Sequence, residues 1–598
     1  MSKGQVETRV SSVVVGIVSL LIFMGFIGSG SASAATTHYI AANGSDSNNG
    51  TSTTTPWLHA PGMPNCSGTC ASYTPVAGDR FILRGGDTWH FGNSSLSPYT
   101  GGTWDIYTVA YGAGKDSSCL YQSTQTGCVY WGVDQTWYSG ASWTRPILDG
   151  DNPLSTSLVG SCPYQVANTG QYVTNEFVSL SPDTIFDNFE LRGLCSKNSN
   201  GGNGNQDGYV AYLGTGTWGT GMAFENNLYV HGWSATTMAG QGNNSQPCVL
   251  FGGGANGLQS IDHLVVDGAD SNPGSCAWAT FPSFYHLTNS IVRYTQQGVG
   301  AWCHDIHDNI FEFIYEHNSG AGSHSNILEC NDDSPGNAVN QPQNTPNVFY
   351  NNIVRHVSTQ FTTDGQVNLW FCPETVPEYW FNNIMYDAGG GNFWDYAGPA
   401  IYGCPNTGYQ YMFNNTLVDG SQPCHVSNVN HGGQYLVVYN EHLINTPFDN
   451  GSTNPCTGLS SATNVAMSDA TAVTQGYGSN TGRINTQSSI NCANDSTTPC
   501  APTASNNSTV GVGANHQDYC NTLATYSSEY AIGTEAANAC KHATTDACGY
   551  NTSSHTMVCP AQAAVARPVS GAWDAGAYQY ASGGVSPNPP TGLAAVVQ

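Results

Sequence analysis

The chain has 598 residues, and charged residues make up 9% of it against about 25% in an average globular protein. The formal net charge is −27 with only 13 Lys plus Arg, so a polyanion would meet repulsion over most of the surface, which argues against nucleic acid as a partner. At 39% hydrophobic and 11% aromatic the chain is too apolar to be disordered, while 70 glycines and frequent Asn, Ser and Thr leave a surface of amides and hydroxyls suited to neutral glycans or cations.

In chain order, Lys3 and Arg9 precede the apolar run "VVVGIVSLLIFMGFIG" and a small-residue cleavage site at Ala32-Ser33-Ala34. Residues 1–34 therefore read as a secretory signal peptide, because the run is shorter than the about 20 residues of a membrane span. No second span is visible, so none is expected after cleavage. Twenty cysteines agree with an oxidising compartment. Disulfides are expected between Cys66 and Cys70, Cys119 and Cys128, Cys492 and Cys500, and two among Cys540, Cys548 and Cys559; no two CxxC pairs stand at zinc spacing.

Residues 35–185 hold "HYIAANGSDSNNGTSTTTPW" from His38 and the turn-bounded apolar strand "VAGDRFILRGGDTW" from Val76. These two stretches resemble the opening of secreted parallel β-helix proteins of the pectate-lyase-like superfamily, where such a loop and strand lead into the first coils. Residues 35–185 are then an N-terminal cap with the first coils.

Residues 186–448 repeat one pattern: "FDNFELRG" from Phe186, "FENNLYVHG" from Phe224, "VFYNNIVRHV" from Val348, "YWFNNIMYDAG" from Tyr379 and "YMFNNTLVDG" from Tyr411. Aligned positions Asn188, Asn227, His263, Asn289, Asn309, Asn326, Asn352, Asn383 and Asn415 are 17 to 39 residues apart. Such irregular periods with short β-branched strands exclude a helical array and fit coils of three strands with variable loops. Stacked coils place equivalent residues about 4.8 Å apart. The asparagines then bond up the stack and to the backbone of the bend, whose left-handed conformation Asn tolerates.

Residues 449–580 are Ser-, Thr-, Asn- and Ala-rich with several cysteines, and "TEAANACKHA" reads as a short helix in a disulfide-rich insertion or cap. They end in "ARPVSGAWDAGAYQY", which resembles the closing coil of the same β-helix proteins; residues 581–598 are a Gly/Pro/Ser linker and tail. The expected fold is an all-β, right-handed parallel β-helix with a disulfide-rich C-terminal cap. That fold carries lyases, hydrolases, epimerases and adhesins alike, so it does not name the chemistry.

The densest ionisable stretch is "AWCHDIHDNIFEFIYEHNSGAGSHSNILECNDD" from Ala301. Three residues past the aligned asparagines stand Glu312, Glu329 and Arg355, where earlier units have Leu191, Val230, Val266 and Val292. On adjacent coils Glu312 and Glu329 would form a carboxylate pair about 5 Å apart, the geometry of a retaining glycosidase. The resemblance places polymer binding on this outer face. The same carboxylates suit calcium, with Asp332 and Asp333 as further oxygen ligands. A lyase would need a base, usually Lys or Arg in pectate lyases. With four lysines, one of them Lys3 in the leader, His304, His307, His324 or Arg355 would serve. The "NDD" at Asn331–Asp333 lacks the companion motifs of polygalacturonases. His304 and His307 are three apart and point to opposite faces of a strand, so they do not share a metal. Trp370 and Trp394, with Trp380, offer rings for sugar stacking, though core packing is the more frequent fate of such strands; His356, beside Arg355, is a further substrate-binding candidate.

The leading expectation is a secreted enzyme acting on extracellular polysaccharide, as lyase or glycoside hydrolase, with calcium as the one cofactor suggested. The alternatives are a non-catalytic glycan-binding adhesin and a structural extracellular scaffold.

Overall fold

The computed structural model describes residues 35–106, 119, 127–164, 175–196, 210–215, 222–236, 249–251, 258–271, 279–280, 283–295, 298–314, 327–330, 346–357, 369–371, 377–387, 395–396, 410–418, 425–426, 436–446, 463–478, 500–526, 532–545, 548–559 and 564–581. The expected signal peptide and the Cys492 pairing lie outside these residues.

Short strands rich in β-branched and aromatic residues stack in parallel into a three-sided coil. The first sheet runs from Thr37–Ile40 through Thr184–Asp187, Leu258–Asp262 and Val299–His307 to Leu436–Tyr439, every neighbouring pair parallel. The second sheet has 12 strands, from Thr88–His90 to Val465–Met467. A third side is formed by Asn175–Leu180, Val210–Thr215 and Val249–Phe251, and later by Leu328–Cys330 and Leu369–Phe371. This is the expected parallel β-helix.

Strand alternation sorts the side chains. The middle residue of each rung points inward, so that Phe81, Trp131 and Phe186 stack in the first sheet and Leu191, Val230 and Val266 in the second, all in one core. Each such buried side chain is worth roughly 1.5–3 kcal/mol.

The paired asparagines divide their work. Asn188, Asn227, His263, Asn289, Asp308, Asn351, Asn382, Asn414 and Asn440 are the left-handed turn residues, with φ between 50° and 67°; Asn227 is the second of its pair, but in the later coils the left-handed residue is the first. The second points inward and forms a buried ladder. Asn309 Nδ2 donates to Asn352 Oδ1 (3.0 Å), Asn352 Nδ2 to Asn383 Oδ1 (3.1 Å), and Asn383 Nδ2 to Asn415 Oδ1 (2.9 Å). Glu441 takes the next place by accepting from Asn415 Nδ2 (3.0 Å), and its backbone N–H donates to Asn464 Oδ1 (2.8 Å). The left-handed row therefore joins Asn188, Asn227, His263 and Asn289 to Asp308 and Asn351, not to Asn309 and Asn352.

The expected repeat is thus one residue out of register between its halves, and Asn326 lies outside the described residues. The coil that begins at Asn309 closes 43 residues later, at Asn352.

The C-terminal segment covers the outside of the later coils. Helices Gln517–Leu523 and Ile532–Cys540 are joined by the disulfide Cys520–Cys540, and the hairpin Gly549–Asn551/Thr556–Val558 is closed by Cys548–Cys559. Left-handed asparagines hold it: Asn382 Nδ2 donates to His542 O (3.0 Å), Asn414 Nδ2 to Asp574 O (2.8 Å) and Asn440 Nδ2 to Ala514 O (2.8 Å). Arg567 of the closing "ARP" donates to Asn382 Oδ1 (2.7 Å) and lies over the Trp573 ring. Five disulfides occur among the described residues. Cys66–Cys70 and Cys119–Cys128 are as expected, Cys162–Cys195 and Cys520–Cys540 were not anticipated, and Cys548–Cys559 decides the three-cysteine choice. No described helix is long and apolar enough to cross a membrane.

Candidate functional site

The structure separates the expected carboxylate pair. Glu312 ends a second-sheet strand, whereas Glu329 lies on the third side, in register with Gly300 and Trp370. The reason is the 43-residue coil, which puts Glu329 inside the same turn of the helix as Glu312, on another face.

Glu312 and Arg355 do meet, as parts of a buried ion ladder. Arg355 Nη2 is 2.8 Å from Glu312 Oε2, Arg293 Nε is 2.9 Å from Glu312 Oε1, and Arg293 Nη1 is 3.2 Å from Asp267 Oδ2. The C-terminal hairpin closes over them, with Arg355 Nη1 donating to Cys548 O (3.1 Å) and Tyr550 lying under Arg293. Correctly registered, the row is Arg192, His231, Asp267, Arg293, Glu312 and Arg355. It is polar throughout rather than from Glu312 onward, because Leu191, Val230, Val266 and Val292 belong to the inward row.

His304 is buried, with Nδ1 bonded to Asn347 Oδ1 (2.9 Å), and alternation places it and outward His307 on opposite faces, as expected. His356 is buried and left-handed (φ 53°), its Nδ1 2.8 Å from Asp387 Oδ2. Trp370 stands between Glu329 and Asp395 in register. His324, Trp394, Asp332 and Asp333, the last two the expected calcium ligands, lie outside the described residues.

At the other end of the same outer face, Glu190, His231 and Asp270 form a partly open cluster. His231 bonds Asp270 Oδ2 (2.8 Å) and Glu190 Oε1 (3.1 Å). Burial alone would lower its pKa, but these two carboxylates outweigh it and raise it to about 9. Because the folded value lies above 6.5, this contribution to stability is complete below about pH 6.5 and is lost as pH rises through about 9. It amounts to at most about 3 kcal/mol. Melting measured from pH 6 to pH 10 should show the loss, and His231→Gln should flatten it; an unchanged slope in the variant would remove His231 from the account.

The half-exposed chemistry lies elsewhere, on the outer edge of the first sheet. The last residue before each left-handed turn gives the row Asp187, Asn226, Asp262, Thr288 and His307 in direct register. In later coils this row becomes Tyr350, Phe381 and Phe413. Tyr519 of the C-terminal helix packs on Phe413. The C-terminal segment covers the apolar part and reaches His307, which is buried, whereas Asp262 and His263 keep 34% and 51% of their side chains exposed.

Asp187 accepts from Asn227 Nδ2 (2.7 Å) and from the Tyr130 hydroxyl (2.6 Å). Burial dominates, so its carboxyl is pushed up despite these bonds and the nearby Arg145 charge. Arg145 itself is fixed by Asn227 O (3.1 Å). Asp262 is oppositely tuned. Burial would raise it, but the His263 bond (2.7 Å), that imidazole's charge, and donors Asn289 Nδ2 (2.9 Å) and Thr288 Oγ1 (2.7 Å) hold it below the usual carboxylate range. Two rungs separate these carboxyls, about 9 to 10 Å at β-strand spacing.

Sequence reasoning missed both, although a signal was present. In "FDNF" and "IDHL" a carboxylate directly precedes the turn residue, whereas the expected site residues stand three beyond an aligned asparagine.

No protein-family model matches the chain, and no curated protein matches it. Solved structures similar to it include the native GH136 lacto-N-biosidase from Eubacterium ramulus, with 11% identity over 72% of this chain and 67% of that one and a TM-score of 0.33. Another is a rhamnogalacturonan lyase, with 12% identity over 70% of this chain and 89% of that one and a TM-score of 0.31.

Proposed function

We propose that this chain is an exported glycoside hydrolase acting on extracellular polysaccharide through Asp187 and Asp262. The observation that carries this reading is the pair's opposite tuning on one open row of a charge-poor chain. Environments that push two carboxyls apart assign an acid and a base. Asp187, whose carboxyl is pushed up by burial, would donate to the leaving glycosidic oxygen; Asp262, held below the usual carboxylate range, would activate a water on the opposite face of the sugar. Two rungs of about 4.8 Å reach the upper end of the about 6.5–9.5 Å separation that leaves room for that water and gives inversion at the anomeric carbon. Tyr130 positions Asp187 with the Arg145 charge nearby, and the single rung between the acids offers the Asn226 amide to hydroxyls.

The test is to incubate the full chain with a panel of neutral and uronate polysaccharides, following reducing ends and the ultraviolet absorbance of an unsaturated product together. New ends without new absorbance are expected. Asp187→Asn and Asp262→Asn should each lower kcat at least a hundredfold, with circular dichroism checking that each variant is folded. New absorbance would replace hydrolysis with elimination, and full activity in both variants would end the assignment. Binding to an immobilised glycan without any cleavage would favour the adhesin instead.

A further inference from the structure

We propose a divalent transition-metal site formed by Asp305, His307 and Glu535, where the C-terminal helix Ile532–Cys540 meets the β-helix. Asp305 and His307 stand two apart on the strand Val299–His307 and so share its outer face. Glu535 reaches them from the helix, and one ligand atom from each of the three lies within 4.8 Å of the others.

Three features set this cluster apart from a chance grouping of charges. Asp305 is fully buried, and its Oδ1 has no hydrogen-bond partner. His307 Nε2 is buried without a hydrogen bond as well, and it faces Asp305 Oδ2 at 3.6 Å and Glu535 Oε2 at 4.0 Å. Ligands about 2.0–2.2 Å from a tetrahedral ion stand about 3.4 Å apart, so only a small shift of the 43% exposed Glu535 side chain is needed.

The surrounding bonds are those of a supported ligand set. His307 Nδ1 is bonded to Asp308 Oδ2 (2.6 Å) and Asp305 Oδ2 to His286 Nδ1 (2.7 Å), which fixes both the ring and the carboxylate. One imidazole with carboxylates suits zinc, manganese or cobalt better than calcium, which takes oxygen ligands. Three protein ligands leave a position open to water. Bound there, the ion would staple the Cys520–Cys540 helix pair to the coils.

A proton on His307 would satisfy the same carboxylates without metal, and the two states are separable. The full chain, stripped with chelator and dialysed, is titrated with Co²⁺ alone and then with Zn²⁺ alone. One equivalent of Co²⁺ should give visible ligand-field bands that Zn²⁺ removes, and Zn²⁺ should raise Tm in wild type. Glu535→Gln, at an exposed position that the fold does not require, should weaken binding at least tenfold and abolish the Tm rise. Asp308→Asn should weaken binding about tenfold through the ring it orients. Absence of bands and of a Tm rise in wild type overturns the proposal. So does undiminished Co²⁺ binding in Glu535→Gln, which would place the ion elsewhere.

Discussion

Asn383→Ala is expected to cost the fold about 3–5 kcal/mol, read as a fall in the urea midpoint at unchanged slope. The side chain is fully buried and makes four bonds. Its Oδ1 accepts from the backbone N–H (3.0 Å) and Nδ2 (3.1 Å) of Asn352; its Nδ2 donates to Phe349 O (3.0 Å) and Asn415 Oδ1 (2.9 Å). Alanine removes all four and leaves the Asn352 N–H without a partner in an interior no water reaches. Each such orphan costs about 1–3 kcal/mol. Asn383→Asp should be worse than alanine, because it exchanges two donors for a buried negative charge facing Asn415 Oδ1. A loss below about 1 kcal/mol would show that the ladder is ornament and that strand pairing alone sets the coil.

Glu225→Gln should stabilise the protein, and by a pH-dependent amount. Glu225 occupies the inward row of the first sheet between Phe186 and Ile261, is fully buried, and has no hydrogen-bond partner on either carboxyl oxygen. Burial raises its pKa from 4.5 to about 8. A raised carboxyl favours the unfolded state once the free chain ionises, so the cost is absent below about pH 4.5, grows through neutrality, and levels off above about pH 8. At pH 7 it is about 3 kcal/mol, and it approaches about 5 kcal/mol at pH 8 and above. Glutamine keeps the shape and the polar atoms but cannot ionise. Urea unfolding at pH 5 and pH 8 should therefore show near-equality at the first and a clear gain at the second. An equal gain at both values would mean that packing, not charge, separates the two side chains.

The β-helix was legible from the chain because its coils repeat a local necessity. Every turn needs a residue that accepts a left-handed backbone and an amide to satisfy the bend, and the Asn-Asn pairs of Tyr350 to Val354 and its relatives announce both. The opening "GDRFILRGG" and closing "ARPVSGAWDAGAYQY" stretches likewise sit where such a solenoid begins and closes. The role of each asparagine within a pair was not legible. In "DNF", "DHL" and "TNS" the ladder position is Phe189, Leu264 or Ser290, so counting on polar residues joined the turn row of early coils to the ladder row of late ones.

That single-residue slip sets outer-row residues of late coils beside core-row residues of early ones, which makes Glu312 stand out among valines that face the other way. Side-chain direction in a strand has period two, so a slip of one exchanges inside for outside. Sequence by itself determined the repeated strands, the asparagine-lined turns, the low charge and the local disulfides Cys66–Cys70 and Cys119–Cys128. Only the tertiary structure decided which residues share a rung, because loops of variable length hide the coil period. It alone brought Glu535 over Asp305 and His307, closed a hairpin over Arg355 and Glu312, and left Asp262 and His263 partly open to solvent. Those outcomes depend on where a segment some 200 residues later folds back, which no local pattern encodes.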